Sequence, residues 1–262
     1  MKRSQNGATL IVVLILLLVL TVIGTLAIRG SLTALNIATN SQAQQLLLQN
    51  SDSAIFNVEN PKLLTRNLAY DGLFGFIKSD ANKGKELVFC YRGDQSTFYD
   101  FSLASVMMWQ SGTVPSNNSF GVKGYCKLNA DTNFFTSGRK AVMTQVSIKV
   151  QTSTSNTVSG IENPFEHMQR GTDTESAKID SAEKIYVTAT SIVPALSSAL
   201  DTDINTCFSN RMNQVVVPPS EETNVAADSI YRESVSDCLK KIGVPVNTQV
   251  VEYNLTQAFD RT

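Results

Sequence analysis

From Ala8 to Ser51 the chain carries one ionisable side chain, Arg29, and the segment Ala8 to Ile28 is apolar apart from Thr9, Thr21, Gly24 and Thr25. No proline interrupts it. As a helix rising about 1.5 Å per residue, it matches a bilayer hydrocarbon core of roughly 30 Å. The start of the chain is therefore suited to lipid and the remainder, where charges return at ordinary density, to water. Lys2 and Arg3 precede the run, and the positive-inside bias puts this short leader in the cytoplasm and most of the chain across the membrane. A secretory signal peptide is the alternative. It would have a shorter apolar stretch and a small-residue cleavage site after it, for which Thr25-Leu26-Ala27 is the candidate.

Helical character continues past the apolar run. Between Gly30 and Phe56 there is no proline, and Leu32, Leu35, Ala43, Leu46, Leu47 and Ala54 recur at roughly i, i+3, i+4 spacing. Pro61 is the first firm breaker. The pattern predicts one helix from about Thr9 to Phe56, about 70 Å long, apolar all round in its first half and amphipathic in its second.

A basic leader ending in Gly7, then Ala8-Thr9-Leu10-Ile11 and the stem GATLIVVLILLLVLTVIG, resembles the type IV pilins and pseudopilins, above all the PilX group of minor pilins. The likeness covers residues 1–56. It implies an α+β, pilin-like fold in which a long N-terminal helix packs on an antiparallel β-sheet, with an appended C-terminal region. It further implies that a membrane-embedded prepilin peptidase cuts after Gly7 and that the new amine on Ala8 is methylated. The expected organisation is a leader (1–7), a transmembrane and assembly helix (8–56), a globular head (57–193) and a disulfide-containing extension (194–262).

One departure from the family stands out within the assembly segment Thr9, Leu10, Ile11 and Val12. Most pilins carry a glutamate at the fifth place of the mature chain, where this one has Val12. A carboxylate buried among apolar stems costs several kcal/mol unless it is paired. In the family its partner is understood to be the terminal amine of a neighbouring subunit, and Val12 cannot make that pair. In the related secretion systems the same departure marks the subunit at the filament tip. The resemblance thus implies a structural subunit of a tip or initiation complex, with other minor pilins, the major pilin and a tip adhesin as partners. It would reside in the inner membrane with its head in the periplasm, and afterwards at the extracellular pilus tip. Adhesion, twitching and DNA uptake are family roles, and nucleic acid would be met through the assembled pilus. The competing reading is an uncleaved single-pass protein whose extracytoplasmic domain binds a ligand or partner, with Val12 an ordinary membrane residue.

Beyond Asn57 the periodicity changes. KELVFCYR, Lys85 to Arg92, reads as a short strand. In AVMTQVSIKVQ, Val142, Val146, Ile148 and Val150 alternate with Met143, Gln145, Ser147 and Lys149, which predicts a strand with one core face and one wet face. EKIYVTATSIV predicts its neighbour, with Ile185, Val187 and Ala189 on one side. The polar, turn-rich stretch between them, 152–182, is too long for a hairpin loop and reads as a contact surface or as disorder. DSIYRESVSDCLKKIG, Asp228 to Gly243, reads as a helix capped by Asp228 or Ser229 and closed by Gly243, and TQVVEYNL as a terminal strand.

All four cysteines, Cys90, Cys126, Cys207 and Cys238, fall on the translocated side, which argues for two disulfides. Three connectivities are open; pairing Cys90 with Cys126 and Cys207 with Cys238 is favoured because each pair encloses one local segment. Zinc is the rival, but there is no C-x-x-C and His167 is the sole histidine. No metal or other cofactor is expected. Nor is an enzyme: the chain lacks G-x-S-x-G, H-E-x-x-H and the phosphate-binding G-x-x-x-x-G-K-[ST], and His167 lies in a polar stretch beside Glu166. Asp201, Asp203 and Asn205 form a D-x-D-x-N fragment of calcium-ligand type, but neither a glycine at the sixth place nor a glutamate at the twelfth follows. Arg92-Gly93-Asp94 matches an adhesion tripeptide and equally a turn after a strand. Trp109, Met107 and Met108 read as core. A net charge of -1 gives no sign of nonspecific wrapping of nucleic acid and leaves DNA contact by a local patch open.

Overall fold

A computed structural model describes residues 8–79, 81–92, 98–109, 115, 120–134, 141–150, 183–214 and 232–255. The stretch 152–182 with His167, the dipeptide Gly93-Asp94, the start of the expected helix at Asp228, and Gly7 all lie outside the described residues. Helix α1 runs Ala8–Val58, and the chain divides into two compact units, Met1–Gln45 and Leu46–Thr262. Proline ends the helical run as expected: after Val58 the chain turns and Pro61 opens a short 3-10 turn whose cap, the Asn60 carboxamide, accepts from the Lys62 amide.

The second unit is built on one antiparallel sheet of order β2-β1-β3-β4-β5, formed by β1 (Glu86–Tyr91), β2 (Ser105–Met107), β3 (Met143–Val150), β4 (Glu183–Ile192) and β5 (Val246–Leu255). The architecture is α+β, a long N-terminal helix followed by a five-stranded antiparallel sheet. Short helices α2 (Leu64–Leu68) and α3 (Leu73–Lys78) precede the sheet, and α4 (Asp201–Asn210) and α5 (Val235–Lys241) lie between β4 and β5. Strand β5 pairs with β4 over ten positions, from Glu183 with Leu255 to Ile192 with Val246.

Strand alternation sorts the core into two faces. On the first, Leu87, Phe89, Val146, Ile148, Ile185, Val187 and Ala189 meet the last turns of α1 and the buried Leu73, Phe74, Phe76 and Ile77 of α3. The buried positions of α1 are Leu47, Asn50, Ser51, Ala54, Ile55 and Val58, at i, i+3, i+4, i+7, i+8 and i+11. Of the expected stripe only Leu47 and Ala54 are buried; Leu32 and Leu35 remain exposed. Two polar residues take part in the true stripe. Ser51 fits because its hydroxyl donates to Ser191 Oγ at 2.8 Å, and Ser191 shares a 2.7 Å hydrogen bond with Thr144 Oγ1. Three hydroxyls therefore satisfy one another where helix and sheet meet.

The second face is not wet. Gln145, Ser147 and Lys149 of β3 are all buried, because the chain after β4 folds back over them. Gln145 accepts from the Cys126 amide at 3.0 Å and donates to the Phe208 carbonyl at 3.1 Å. Lys149 Nζ donates to the Gln214 carbonyl at 2.9 Å. Burial pulls its ammonium below the ordinary lysine value, and the charge of Glu86, its cross-strand partner, opposes that shift. Glu86, itself buried, accepts from the backbone and side-chain nitrogens of Asn213 at 3.0 Å. Asn213 also donates to Ser147 Oγ at 2.8 Å and accepts from Thr190 Oγ1 at 3.1 Å. Polar residues on a strand signal solvent only when nothing covers them. Here a distant segment supplies the partner of each one named.

Helix α5 begins later than the sequence suggests. Its cap is Ser234, whose hydroxyl accepts from the Asp237 amide at 3.1 Å. Its end is closed by Gly243, with φ of 76°, whose amide bonds the Lys240 carbonyl while the Val244 amide bonds that of Leu239. Gly124 meets a different constraint: a Cβ there would strike the backbone of Ser105 and Val88. Cys90 is joined to Cys126 and Cys207 to Cys238, with Cα separations of 4.9 and 5.6 Å.

Two predictions follow from the second face. Asn213→Ala strips a partner from Glu86, Ser147 and Thr190 together and is expected to cost about 2–4 kcal/mol. Thermal unfolding of the full chain in detergent, followed by its circular dichroism, measures this loss, and Asn213→Asp, which sets a second carboxylate against Glu86, should lower the midpoint further. Burial, then the charge of Glu86, pushes the Tyr125 hydroxyl from 10.0 up to about 12. Both states hold that proton below pH 10.0, and above it the unfolded tyrosine ionises first, so stability falls as the pH rises toward about 12. Tyr125 Oη has no hydrogen-bond partner, so Tyr125→Phe should fold normally and show a shallower alkaline decline in unfolding midpoint.

Candidate assembly interface

Every large apolar side chain from Leu10 to Ile28 is exposed in the first unit, and the segment has a mean hydropathy of 3.2 with none of it buried. Such a surface is unstable in water and is an ordinary one in a bilayer or among like helices. The hydroxyls within it are already satisfied: Thr21 Oγ1 donates to the Leu18 carbonyl at 2.8 Å and Thr25 Oγ1 to that of Val22 at 2.9 Å. In a medium without water this leaves no unpaired donor on either side chain. Thr33 and Thr39 make the same backward bond to Arg29 and Leu35.

The structure places the residues marked by the sequence as follows. Ala8 opens α1, and Val12 lies one turn later, 61% exposed, beside the exposed Leu10 and Ile11. Val12 is thus a surface position of the stem, open to a neighbour, and an aliphatic one. In the head, Asp201 and Asp203 occupy the first turn of α4, where carboxylates complement the helix dipole. Asn205 Oδ1 instead accepts from the Leu128 amide at 2.9 Å, so the D-x-D-x-N fragment does not converge on one point. Among the described residues no three His, Cys, Asp or Glu side chains gather closely enough to hold a metal ion. Met107 is buried, and Trp109 packs partly buried beside it with Tyr125 and Met212.

One feature of the head has no signature in the sequence. Arg92, Lys123 and Lys127 line a cleft of about 420 Å³ together with Leu103, Val122 and Tyr125. The Cys90–Cys126 bond draws the segments that carry these cations together. Arg92 is held in place: its Nε donates to Asn133 Oδ1 at 3.0 Å and its Nη2 to the Lys123 carbonyl at 3.1 Å.

Compared with known families, residues 6–56 match the family model described as PilX N-terminal. The matched span covers the leader junction, the whole exposed apolar run and α1 to within a turn of its end. Residues 6–56 are thus similar to the N-terminal stem of PilX-family type IV pilins. No curated protein and no solved structure matches the chain. The PilX family is one of structural pilins, and a stem of this kind fits anchoring in a membrane before assembly. The arrangement of the helix fits such a stem: its first half is apolar on every side, as lipid or like helices would require, and its last turns are amphipathic where they seat on the sheet.

Proposed function

We propose that this chain is a minor pilin of a type IV pilus that works in the tip or initiation complex, priming assembly through its stem and presenting partners at the growing end. The single observation that carries the reading is the match of residues 6–56 to the PilX N-terminal family, on a helix whose first half is wholly exposed and apolar. In this reading a prepilin peptidase cuts after Gly7, Ala8 becomes the methylated N-terminus, and residues 8–56 act first as a membrane anchor and then as the assembly helix. Residues 57–193 and 194–262 form the head and its disulfide-containing extension, which face the periplasm before assembly and the exterior afterwards.

The tip position rests on Val12. It is exposed one turn from Ala8, where a stem destined for the shaft would offer a carboxylate to the amine of its neighbour. A subunit that meets no further subunit loses nothing by replacing that carboxylate with an aliphatic side chain. Its partners in this reading are the other minor pilins, the major pilin and a tip adhesin.

The N-terminal mass of the protein taken from its native membrane tests the processing step. A chain that begins at Ala8 with one added methyl group is the expected result. One that begins at Met1 makes the protein a signal-anchored binding domain, and one that begins near Ile28 makes it a secreted protein. Val12→Glu tests the tip position. The variant should leave the unfolding free energy of the head within about 0.5 kcal/mol of wild type, as exposed changes do, yet reduce filament number or move the subunit into the shaft. Unchanged filament number with unchanged subunit position, read by immunogold labelling, would remove the tip reading.

A further inference from the structure

Inside the head, Lys149, Asn213 and Glu86 bring an amine, a carboxamide and a carboxylate together. Lys149 is 4% and Glu86 1% exposed, and the two stand opposite each other on β3 and β1. A lysine cut off from water is costly as an ammonium, and burial draws Lys149 below its ordinary value, toward the neutral amine that is the nucleophilic form. Its Nζ is held at 2.9 Å on the carbonyl of Gln214, the residue directly after Asn213. Asn213 Nδ2 in turn donates to Ser147 Oγ at 2.8 Å. Ser147 lies two residues before Lys149 on the same face of β3, a spacing of roughly 7 Å that the flexible lysine side chain reaches across.

The carboxamide is gripped at both of its polar atoms in the sense that acyl substitution needs. Thr190 Oγ1 donates to its oxygen at 3.1 Å, where negative charge gathers when a nucleophile adds to the carbon. Glu86 Oε1 accepts at 3.0 Å from its nitrogen, the group that would leave, and both Glu86 oxygens are fixed by the Asn213 backbone amide at 3.0 and 3.1 Å. We propose that Lys149 Nζ and Asn213 Cγ join in an intramolecular amide bond, with Glu86 carrying the protons. The hydrogen bonds given above are then those of the chain before the reaction. Nζ turns from the Gln214 carbonyl, and its lone pair forms the new C–N bond to Cγ. Of the three protons of the lysine ammonium, one stays on the new amide and two pass through Glu86 to Nδ2. The Cγ–Nδ2 bond then breaks and the nitrogen departs as ammonium. One secondary amide and one ammonium ion result, nothing is oxidised or reduced, and no co-reactant is consumed. The bond ties β3 to the segment that covers its second face, and it is independent of the pilus reading.

Intact mass and tryptic mapping of the full chain, purified in detergent, test it. The expected chain weighs one ammonia less than its residues and two disulfides require, resists cleavage after Lys149, and yields a branched peptide that links Lys149 to Asn213. Lys149→Met should restore the missing ammonia. So should Glu86→Gln, which keeps the shape of the side chain but takes up no proton, while both disulfides form as in wild type. A wild-type chain that weighs its full residue sum overturns the proposal without recourse to any variant. A missing ammonia that persists in Lys149→Met also overturns it, since the loss would then mark a ring closed on Asn213 by its own backbone. Glu86→Gln crosslinked as fully as wild type would overturn the role given to the carboxylate.

Discussion

The head depends on three strands, β1, β2 and β3, kept dry on both faces. A strand buried on one side can send its alternate residues into water, whereas one buried on both sides must supply each of its polar atoms with a partner inside the protein. The first face meets this demand with little polarity, through hydroxyls shared between α1, β3 and β4. The second face carries Glu86, Gln145, Ser147, Lys149 and Thr190, and so requires a covering segment whose backbone and side chains are aimed at them. Phe208 to Gln214 is that segment, and Asn213 contributes both a backbone and a side-chain nitrogen to one carboxylate. The disulfide from Cys207 to Cys238 fastens α4, from which this segment leads, to α5. A loop of that size adds about 3 to 4 kcal/mol in the chain-entropy view.

Much of this was legible in the residues. The uninterrupted apolar run fixes the stem because a bilayer tolerates almost nothing else, and alternation of Val146, Ile148 and Val150 fixes the inner face of β3 because burial there is purely apolar. The same logic misreads the other face, since Gln145 and Lys149 look like solvent residues until Phe208 and Gln214 arrive from far along the chain. The seat of α1 is misread for a related reason. Ser51 has no place in an apolar stripe, and its role is visible only once Ser191 stands opposite. Helix α5 shows how local signals compete: Asp228, Ser229 and Ser234 are all good caps by residue type, and the cap in use is the one directly before the turns that carry buried Val235, Cys238 and Leu239.

The cleft was not legible at all. Arg92 follows β1, whereas Lys123 and Lys127 stand on either side of Cys126, and nothing in their spacing announces that they meet. Motif reading finds groups set by one turn or one loop. It does not find groups brought together by a crosslink. The stem is the opposite case, a pattern written in contiguous residues, and the family match of residues 6–56 falls almost entirely on it.

The position of β5 bears on how the head matures. Its side chains reach back to the helix: Asn247 donates to Ser51, Gln249 to Asp52 and Tyr253 to Glu59, across sequence separations of 194 to 197 residues. The seat of α1 therefore cannot be completed until the strand farthest along the described chain has been made. A stalled or clipped chain would leave the outer edge of β4 bare and the final turns of the helix without their polar partners. Complete synthesis is in this way a structural precondition for a properly seated α1, since its last turns find their polar partners on the strand made last among those described.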